Sequence, residues 1–293
     1  MPALLEKDSP CKVNLLLNIL GKRADGFHEL ETVMHPVRWC DHLRFSQGGN
    51  AVQLTCDEPE LPTGAENLVY RAATQFLQTA GIREGVRIHL EKRIPLAAGL
   101  GGGSGNAAVT LLGLNELFGT PLAMVQLQTL AASLGSDVPF FLQEKPVVAT
   151  GRGERILPLD FFPALRGAAL LLIHPGFGIP TAWAYQQLAN FPEALNGRPG
   201  RAGRLVELLR DGDLSRASGE FYNSLEAPAL RKFPLLALFQ DFLRANGAAA
   251  TLMSGSGSTT FAIARSASAA LEMEEKVQAK FGPCWTAVVP ISE

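Results

Sequence analysis

The first third of the chain has the pattern of strands that lead into and out of one helix. Segments 11–20 and 42–46 are short, apolar and bounded by glycine or charged clusters, which predicts strands, whereas apolar and polar residues alternate at 51–56. Over 67–81 the apolar residues recur every three or four positions, which predicts an amphipathic helix. Alternation returns at 86–94, so a further strand delivers the chain to a run of glycines.

Two helices are predicted after the glycines. The apolar residues that follow have helical spacing, and Gly119 is the expected end of that helix. Thr120 and Pro121 have the residue types of an N-cap and a first helical position, and the second helix is expected to stop at Gly135.

The second half of the chain predicts a separate lobe. Residues 145–165 are rich in proline, glycine and charge, so we expect a lobe boundary there, with domains at 1–160 and 161–293. Segments 181–188, 203–213, 234–247 and 267–282 have helical patterns, and segments 167–176, 248–255, 258–265 and 285–291 have strand patterns. The sequence therefore predicts an α+β or mixed α/β protein in two lobes.

Composition and charge narrow the class of protein. The chain has 293 residues, 47% of them hydrophobic, and a net charge of only −2, so it has no basic field for nucleic acid or an acidic membrane surface. Its four cysteines lie far apart without metal-binding spacing, and reduced thiols are expected. With no signal-peptide pattern and no apolar run of about 18 residues, we expect a cytoplasmic protein.

The stretch 95–109, PLAAGLGGGSGNAAV, places glycine at five of seven positions directly before a predicted helix. Unpaired N–H groups at a helix N-terminus bind anions, and glycines let the backbone approach a phosphate closely. The stretch has no lysine of a P-loop and does not fit G-x-G-x-x-G. A phosphate site and a flexible hinge both remain open on this pattern alone.

A second glycine–serine segment, MSGSGSTTF at 253–261, lies between two predicted strands. By itself it predicts an ordinary hairpin turn.

Three stretches together resemble the GHMP small-molecule kinases: SPCKVNLLLNILG at 9–21, the glycine run at 95–109, and LMSGSGSTTF at 252–261. The resemblance covers essentially the whole chain. It implies an α+β, two-lobed GHMP kinase fold, with an N-terminal ATP-binding domain like ribosomal protein S5 and a C-terminal ferredoxin-like domain. It also implies that the protein is a monomer or a homodimer.

Two further stretches, GKRADGFHELETVM and GSDVPFFL, resemble the branch of that family whose acceptor is the 2-hydroxyl of a CDP-linked methylerythritol. This resemblance implies a small-molecule kinase that uses ATP and Mg²⁺. A homoserine or mevalonate type of kinase, or a non-catalytic metabolite sensor, is the alternative.

The resemblance also assigns the ATP phosphates to the glycine run. The residues concerned are Leu100, Gly101, Gly102, Gly103, Ser104, Gly105 and Asn106. Because the family commonly has a serine where this chain has Gly105, we expect Ser104 and the backbone amides to contribute more of the binding. No metal ligand is assigned.

Lys12 and Asp137 occupy the family's catalytic positions. A carboxylate can orient and deprotonate a hydroxyl, and a lysine can offset charge on the phosphoryl group. The alternatives are that Asp137 is a turn or cap residue and that Lys12 is a solvated charge at a strand edge.

By the same resemblance Phe27 and Tyr185 stack on the cytosine, and His28 hydrogen-bonds its edge. Asn14 and Thr181 are further candidates for substrate contact. The alternatives are core packing for Phe27 and Tyr185, and a surface turn for His28.

Overall fold

The structure, a computed structural model, describes residues 4–291, which form two compact units. Of these residues, the first unit takes 4–11, 38–95 and 101–144, and the second takes 12–37, 96–100 and 145–291. Each unit is therefore assembled from three separate stretches of chain.

In chain order the strands and helices are β1 (Leu4–Lys22), β2 (His28–Gln47), β3 (Val52–Cys56), α1 (Leu68–Ala80), β4 (Val86–Glu91), α2 (Gly102–Leu117), α3 (Met124–Leu134), β5 (Val147–Gly151), β6 (Arg155–Pro158), β7 (Ala169–His174), α4 (Thr181–Gln187), α5 (Pro192–Leu195), α6 (Arg201–Arg210), α7 (Leu214–Ala217), β8 (Tyr222–Asn223), α8 (Glu226–Lys232), α9 (Pro234–Ala245), β9 (Ala250–Met253), β10 (Thr260–Ala264), α10 (Ala267–Phe281) and β11 (Trp285–Pro290). Short 3₁₀ helices lie at Pro139–Leu142, Pro163–Leu165, Leu188–Asn190 and Ser218–Glu220.

The first unit packs helices on a mixed sheet. Strand β4 pairs in parallel with β3 and antiparallel with the last part of β2, where His42 lies opposite Glu91. Helix α2 approaches β2 so closely that a side chain at Gly113 would begin 3.0 Å from the ring of Phe45. Glycine at 113 therefore lets the helix that follows the glycine run pack tightly on the sheet.

The second unit contains a four-stranded antiparallel sheet in the order β11-β7-β10-β9. All six residues of β7 are buried, as expected for a strand covered on both faces. The core on this sheet includes Leu171, Ile173, Phe239 and Val277. In the same unit β5 pairs with the first part of β2, β6 pairs with β5, and β8 pairs in parallel with β1.

Most of the predicted elements and the α+β class are confirmed. Strand β1 extends well before residue 11 because Leu4–Ser9 alternates between exposed and more buried positions, whereas residues 11–19 are all buried. The predicted helix at 67–81 is α1, capped at its start by the Asn67 side chain and followed by Gly81 in the left-handed conformation.

The predicted start of the second helix, with Thr120 as N-cap and Pro121 as first position, is wrong. Thr120 adopts a left-handed φ of 63°, and helix α3 begins four residues later. The reason lies in Asn115, whose side-chain amide donates to the carbonyl oxygen of Leu122 at 3.1 Å and accepts from its N–H at 3.0 Å. These two bonds hold Leu122 in a bend before the helix, which therefore begins later.

Residues 145–165 are better ordered than their composition indicates. They contain the β5–β6 hairpin, in which Val147 and Ala149 are buried. The chain enters the second unit for the last time at residue 145. The domain limits at 1–160 and 161–293 stay a prediction.

Candidate active site

Lys12 and Asn14 lie two residues apart on β1, so their side chains leave the same face of the strand. Only 3% of Lys12 and 4% of Asn14 is exposed. The Lys12 ammonium donates to Oδ1 of Asn14 at 2.5 Å and to the carbonyl oxygen of Gly99 at 3.0 Å. The Asn14 amide nitrogen donates to Oγ1 of Thr32 at 2.9 Å, which sets the amide oxygen toward the ammonium. Lys12 is therefore a buried, oriented cation and not a solvated charge at an edge.

Gly99 is the point at which the glycine run meets the second glycine–serine turn. Its carbonyl oxygen accepts from Lys12 and, at 3.0 Å, from the hydroxyl of Ser254. Its φ is 76°, and a side chain there would overlap the carbonyl oxygen of Ser254 and begin 2.8 Å from the nitrogen of Gly257. Only glycine satisfies both the left-handed backbone and this close approach.

The segment 253–259 is the turn of the β9–β10 hairpin, as predicted, and it also packs beside the lysine. Gly255 has a φ of 54°, and a side chain there would begin 3.1 Å from the Lys12 ammonium. The N–H of Thr259 donates to the carbonyl oxygen of Ala98 at 3.1 Å. The second unit thus brings the first and third family motifs together around Lys12.

Phe27 lies in the turn between β1 and β2 and is 52% exposed, which excludes core packing for it. Its N–H donates to Oδ1 of Asp25 at 3.1 Å, and its carbonyl oxygen accepts from the N–H of Arg23 at 2.8 Å. The Arg152 guanidinium lies 4.7 Å from the centre of the Phe27 ring. A cation on one face of an exposed ring favours its present orientation and leaves the other face available for stacking.

His28 and Tyr185 form an aromatic pair, with ring centres 5.1 Å apart at an angle of 41°. Burial, with a smaller contribution from the charge of Lys22, lowers the pKa of His28. A neutral imidazole at pH 7 has one donor and one acceptor nitrogen, which suits the edge of an uncharged base. Tyr185 also packs partly against the core, so it serves both the packing and the exposed pair.

Thr181 begins α4, the helix that carries Tyr185. Its hydroxyl lies 3.0 Å from the hydroxyl of Ser256 in the glycine–serine turn. The predicted substrate residues Asn14, Phe27, His28, Thr181 and Tyr185 all belong to the second unit.

In the first unit the glycine run forms the start of α2. The N-cap is Gly101, with a φ of 73° and no capping side chain, and the first turn has no acidic residue. Uncapped N–H groups therefore begin the helix at Gly102, Gly103 and Ser104, as an anion site requires. The buried Leu100 accepts a hydrogen bond from the N–H of Lys12 at 2.9 Å, both residues being in the second unit.

Asp41 is a fully buried carboxylate that organises the residues around this helix start. It accepts the N–H groups of Arg93 and Ile94 at 2.8 and 2.9 Å, the side-chain amide of Asn106 at 2.9 Å, and the ammonium of Lys92. The Lys92 nitrogen lies 3.5 Å from the point where a side chain at Gly102 would begin. A second buried cation thus sits beside the glycine run, held by Asp41.

Gly105 faces the sheet within the first unit. A side chain there would begin 2.7 Å from the carbonyl oxygen of Pro10 and 3.1 Å from the hydroxyl of Ser9. A serine at this position would therefore point at β1, so its absence leaves the backbone N–H groups of the helix start unchanged.

Asp137 lies in the first unit, in the turn between the end of α3 at Leu134 and the 3₁₀ helix Pro139–Leu142. It is half-buried. The 3₁₀ helix has Val138 as its N-cap, and Asp137 precedes it in the turn, where the alternative to a catalytic role also places it. Its pairing with Lys12 in catalysis stays a prediction.

Four neighbours of the predicted residues were not selected from the sequence. In the first unit these are Asp41 and Lys92, and in the second unit they are Arg152 and Ser254. Asp41 and Ser254 act through contacts with residues 50 or more positions away. No local spacing in the sequence marks such partners.

Two family models match the chain. A family model described as GHMP kinases N terminal domain matches residues 67–145, and one described as GHMP kinases C terminal matches residues 192–283. By class the protein is therefore a GHMP kinase.

Individual relatives are more specific. The chain is 37% identical to the 4-diphosphocytidyl-2-C-methyl-D-erythritol kinase of Syntrophotalea carbinolica, over 97% of this chain and 98% of that protein. It is 40% identical to the same kinase of Pelotomaculum thermopropionicum, over 92% and 91%. A crystal structure of 4-(cytidine 5'-diphospho)-2C-methyl-D-erythritol kinase matches with a TM-score of 0.79 and 36% identity, over 98% and 100%. The chain belongs to the family of the 4-diphosphocytidyl-2-C-methyl-D-erythritol kinases.

The homoserine kinase of Cytophaga hutchinsonii shares the fold, with a TM-score of 0.76 at 21% identity over 99% of this chain and 95% of that one. At this identity the likeness shows a common fold. The specific relatives therefore favour the predicted branch over the homoserine and mevalonate types. Separately, no helix within residues 4–291 combines the length and the hydropathy needed to span a bilayer.

Proposed function

We propose that the protein transfers the γ-phosphoryl group of ATP to the 2-hydroxyl of 4-diphosphocytidyl-2-C-methyl-D-erythritol. The observation that carries this proposal is the group of Phe27, His28 and Tyr185 in one unit with the buried Lys12. The aromatic residues suit a pyrimidine, and the lysine suits a phosphoryl group. Relatives that carry this substrate in their names match the chain over nearly its full length.

Each part of the reaction has a group to perform it. The uncapped start of α2 binds the ATP phosphates, since its N–H groups and helix dipole attract anions. The Lys12 ammonium stabilises charge on the transferring group, and its fixed hydrogen bonds to Asn14 and Gly99 mean that little reorganisation is needed. Asp137 orients the acceptor hydroxyl and takes its proton.

Magnesium fits this arrangement as an ion that ATP brings. Within residues 4–291 no three His, Cys, Asp or Glu side chains are grouped to hold a metal. Mg²⁺ usually keeps several waters and binds chiefly through substrate phosphates, so the ion needs no dedicated cluster of protein side chains here. The ion would offset negative charge on the phosphates. The cytoplasmic location and the monomeric or homodimeric state stay predictions.

The test is a comparison of three acceptors. Purified protein with ATP and Mg²⁺ is offered the CDP-linked methylerythritol, mevalonate or homoserine, and phosphorylated product is followed by ³¹P NMR. We expect product from the first acceptor alone, because only this acceptor carries a cytosine for the aromatic residues. Product from mevalonate or homoserine alone would contradict the proposal.

Two variants connect that activity to the site. Asp137→Asn should lower kcat by about 100-fold and leave ATP affinity unchanged, because the loss falls on the transition state. Asp160→Asn is the matched control, since that carboxylate is 92% exposed and pairs only with Lys145 in the described chain. Wild-type turnover in Asp137→Asn would exclude Asp137 as the base.

A further inference from the structure

The glycine–serine turn is held from within the second unit by Asn223, which is 2% exposed. The Asn223 amide nitrogen donates to two carbonyl oxygens of the turn, those of Met253 and Gly255, each at 2.7 Å. Its side-chain oxygen accepts from the N–H of Leu225 at 2.9 Å. Both N–H donors of this buried amide are therefore used and its oxygen accepts one bond, so the direction of the amide is fixed.

A second side chain from the same segment holds the other side of Met253. The carboxylate of Glu226 accepts the Met253 N–H at 2.7 Å and the amide of Gln240 at 2.5 Å. Met253 thus has its N–H bound by Glu226 and its carbonyl oxygen bound by Asn223. The entry to the turn is fixed on both sides.

The Asn223 contact also determines where the next amide points. In a planar trans peptide the carbonyl and the following N–H point in opposite directions. Since the carbonyl of Gly255 points at Asn223, the N–H of Ser256 points away from it. Among residues 4–291 nothing accepts that N–H. The Ser256 N–H is thus one residue away from Gly255, and Gly255 itself lies beside the Lys12 ammonium.

We propose that Asn223 is a positioning residue for phosphoryl transfer: it fixes the 253–256 turn beside Lys12 and turns the Ser256 N–H outward as a donor for an anionic oxygen of the substrates. This inference rests on the proposed function for its kinetic consequence. Asn223 touches no reacting atom, and it acts through the backbone of the turn. Because misplacement by about 1 Å can cost about 100-fold in rate, its loss should appear in kcat.

The chain offers a matched pair of variants to test this inference. Asn223→Asp keeps the shape and the acceptor for Leu225 but sets a carboxylate against two carbonyl oxygens. Ser224→Ala, one residue on, removes the buried hydroxyl that accepts the N–H of Ile19 at 2.9 Å and does not touch the turn. Both variants lose buried hydrogen bonds, but only the first one frees the turn.

The measurements are kcat and KM for both substrates, and hydrogen exchange of the peptide covering 253–259 in the ligand-free protein. For Asn223→Asp we expect kcat to fall about 10- to 100-fold, KM to stay within about threefold, and the turn to exchange faster. Ser224→Ala should lower the Tm and leave kcat and the exchange of the turn unchanged. A kcat split of this kind does not arise from lost stability alone.

Wild-type kcat or wild-type exchange in Asn223→Asp would overturn the inference, as would an equal fall of kcat in Ser224→Ala. If Asn223→Asp does not fold, Asn223→Ser, which leaves room for a water, is measured in its place. If wild-type protein transfers no phosphate to the CDP-linked acceptor, the proposed function fails. The exchange data then still decide whether Asn223 holds the turn.

Discussion

Phe27 shows how one exposed residue can be prepared for a ligand. An exposed phenylalanine loses hydrophobic stabilisation, yet the turn bonds to Asp25 and Arg23 and the cation of Arg152 keep its ring in place. When a side chain is ordered before binding, less conformational entropy is lost on binding. The exposure of Phe27 is therefore better explained by a ligand than by folding.

Phe27→Ala should raise the KM for the cytidine substrate about 5- to 10-fold, because a stacked aromatic contributes about 1 to 1.5 kcal/mol. The KM for ATP and kcat should stay near the wild-type values. Steady-state kinetics with each substrate varied in turn makes the measurement.

Leu157→Ala is the control for this prediction, since Leu157 on β6 is another exposed large apolar residue, at 63%. An unchanged cytidine KM in Phe27→Ala, or a similar rise in both variants, would show that Phe27 is not a stacking partner.

At this scale the sequence was informative where residue types are chemically distinctive. Lys12 and Asn14 were selected from the sequence, and the structure places them in direct contact. Asn223 was not selected, because its role depends on contacts 30 and 32 residues away that no spacing rule reveals.

At the scale of elements, a glycine in the loop before α2 and a glycine just after α2 are under different constraints. Gly99 and Gly119 have nearly the same left-handed φ, 76° and 78°. A side chain at Gly119 would meet nothing within 4 Å, whereas one at Gly99 would overlap Ser254. Substituting each of these two glycines therefore separates two contributions to the free energy of unfolding, that of the left-handed backbone and that of the close approach.

Gly119→Ala should lower the free energy of unfolding by about 1 kcal/mol, the cost of alanine in a left-handed backbone, and leave kcat unchanged. Gly99→Ala should cost clearly more and should also lower kcat by about 10-fold or more, because the carbonyl that orients Lys12 must move. Urea unfolding and steady-state rates of both variants give the answer.

Equal unfolding free energies for the two alanine variants would mean that the loop and the glycine–serine turn separate easily in solution. The structural account of Gly99 would then be wrong.

Element types were predictable because periodicity is local. The helical face of α1 and the alternation in β3 and β4 are visible within a dozen residues. The start of α3 and the β5–β6 hairpin were not predicted, because Asn115 and the pairing of β5 with β2 override local composition.

At the scale of the whole molecule, His35 couples folding stability to pH. It is fully buried, its Nδ1 lies 2.7 Å from the carbonyl oxygen of Pro36, and the rings of Phe161 and Phe162 are its neighbours. Burial lowers the pKa of His35 to about 4, against about 6.5 in an unfolded chain. The stabilisation is therefore complete above about pH 6.5 and is lost as pH falls toward 4.

Between pH 7.5 and pH 5.0 the free energy of unfolding of the wild-type protein should fall by about 2 kcal/mol through His35, since only the unfolded chain takes up the proton there. Glutamine does not titrate, so over the same pH range the free energy of unfolding of His35→Gln should fall by about 2 kcal/mol less than that of the wild type. Urea unfolding of both proteins at both pH values measures the difference. Equal losses in the two proteins would show that His35 is protonated in the folded state.

The division into units could not have been predicted from the sequence. The chain passes between the units at residues 11, 37, 95, 100 and 144, and several of these crossings fall inside one continuous strand or loop. Composition can mark a linker between domains that follow each other along the chain. It gives no signal of a unit boundary that falls within a single strand.

The crowding around Gly99 has a consequence for inhibitors of this enzyme. A compound that recognises the main-chain atoms of Gly99 and Gly255 would rest on positions where any larger residue collides with its neighbours. Resistance through substitution at those two contacts would disable the enzyme along with the binding of the drug.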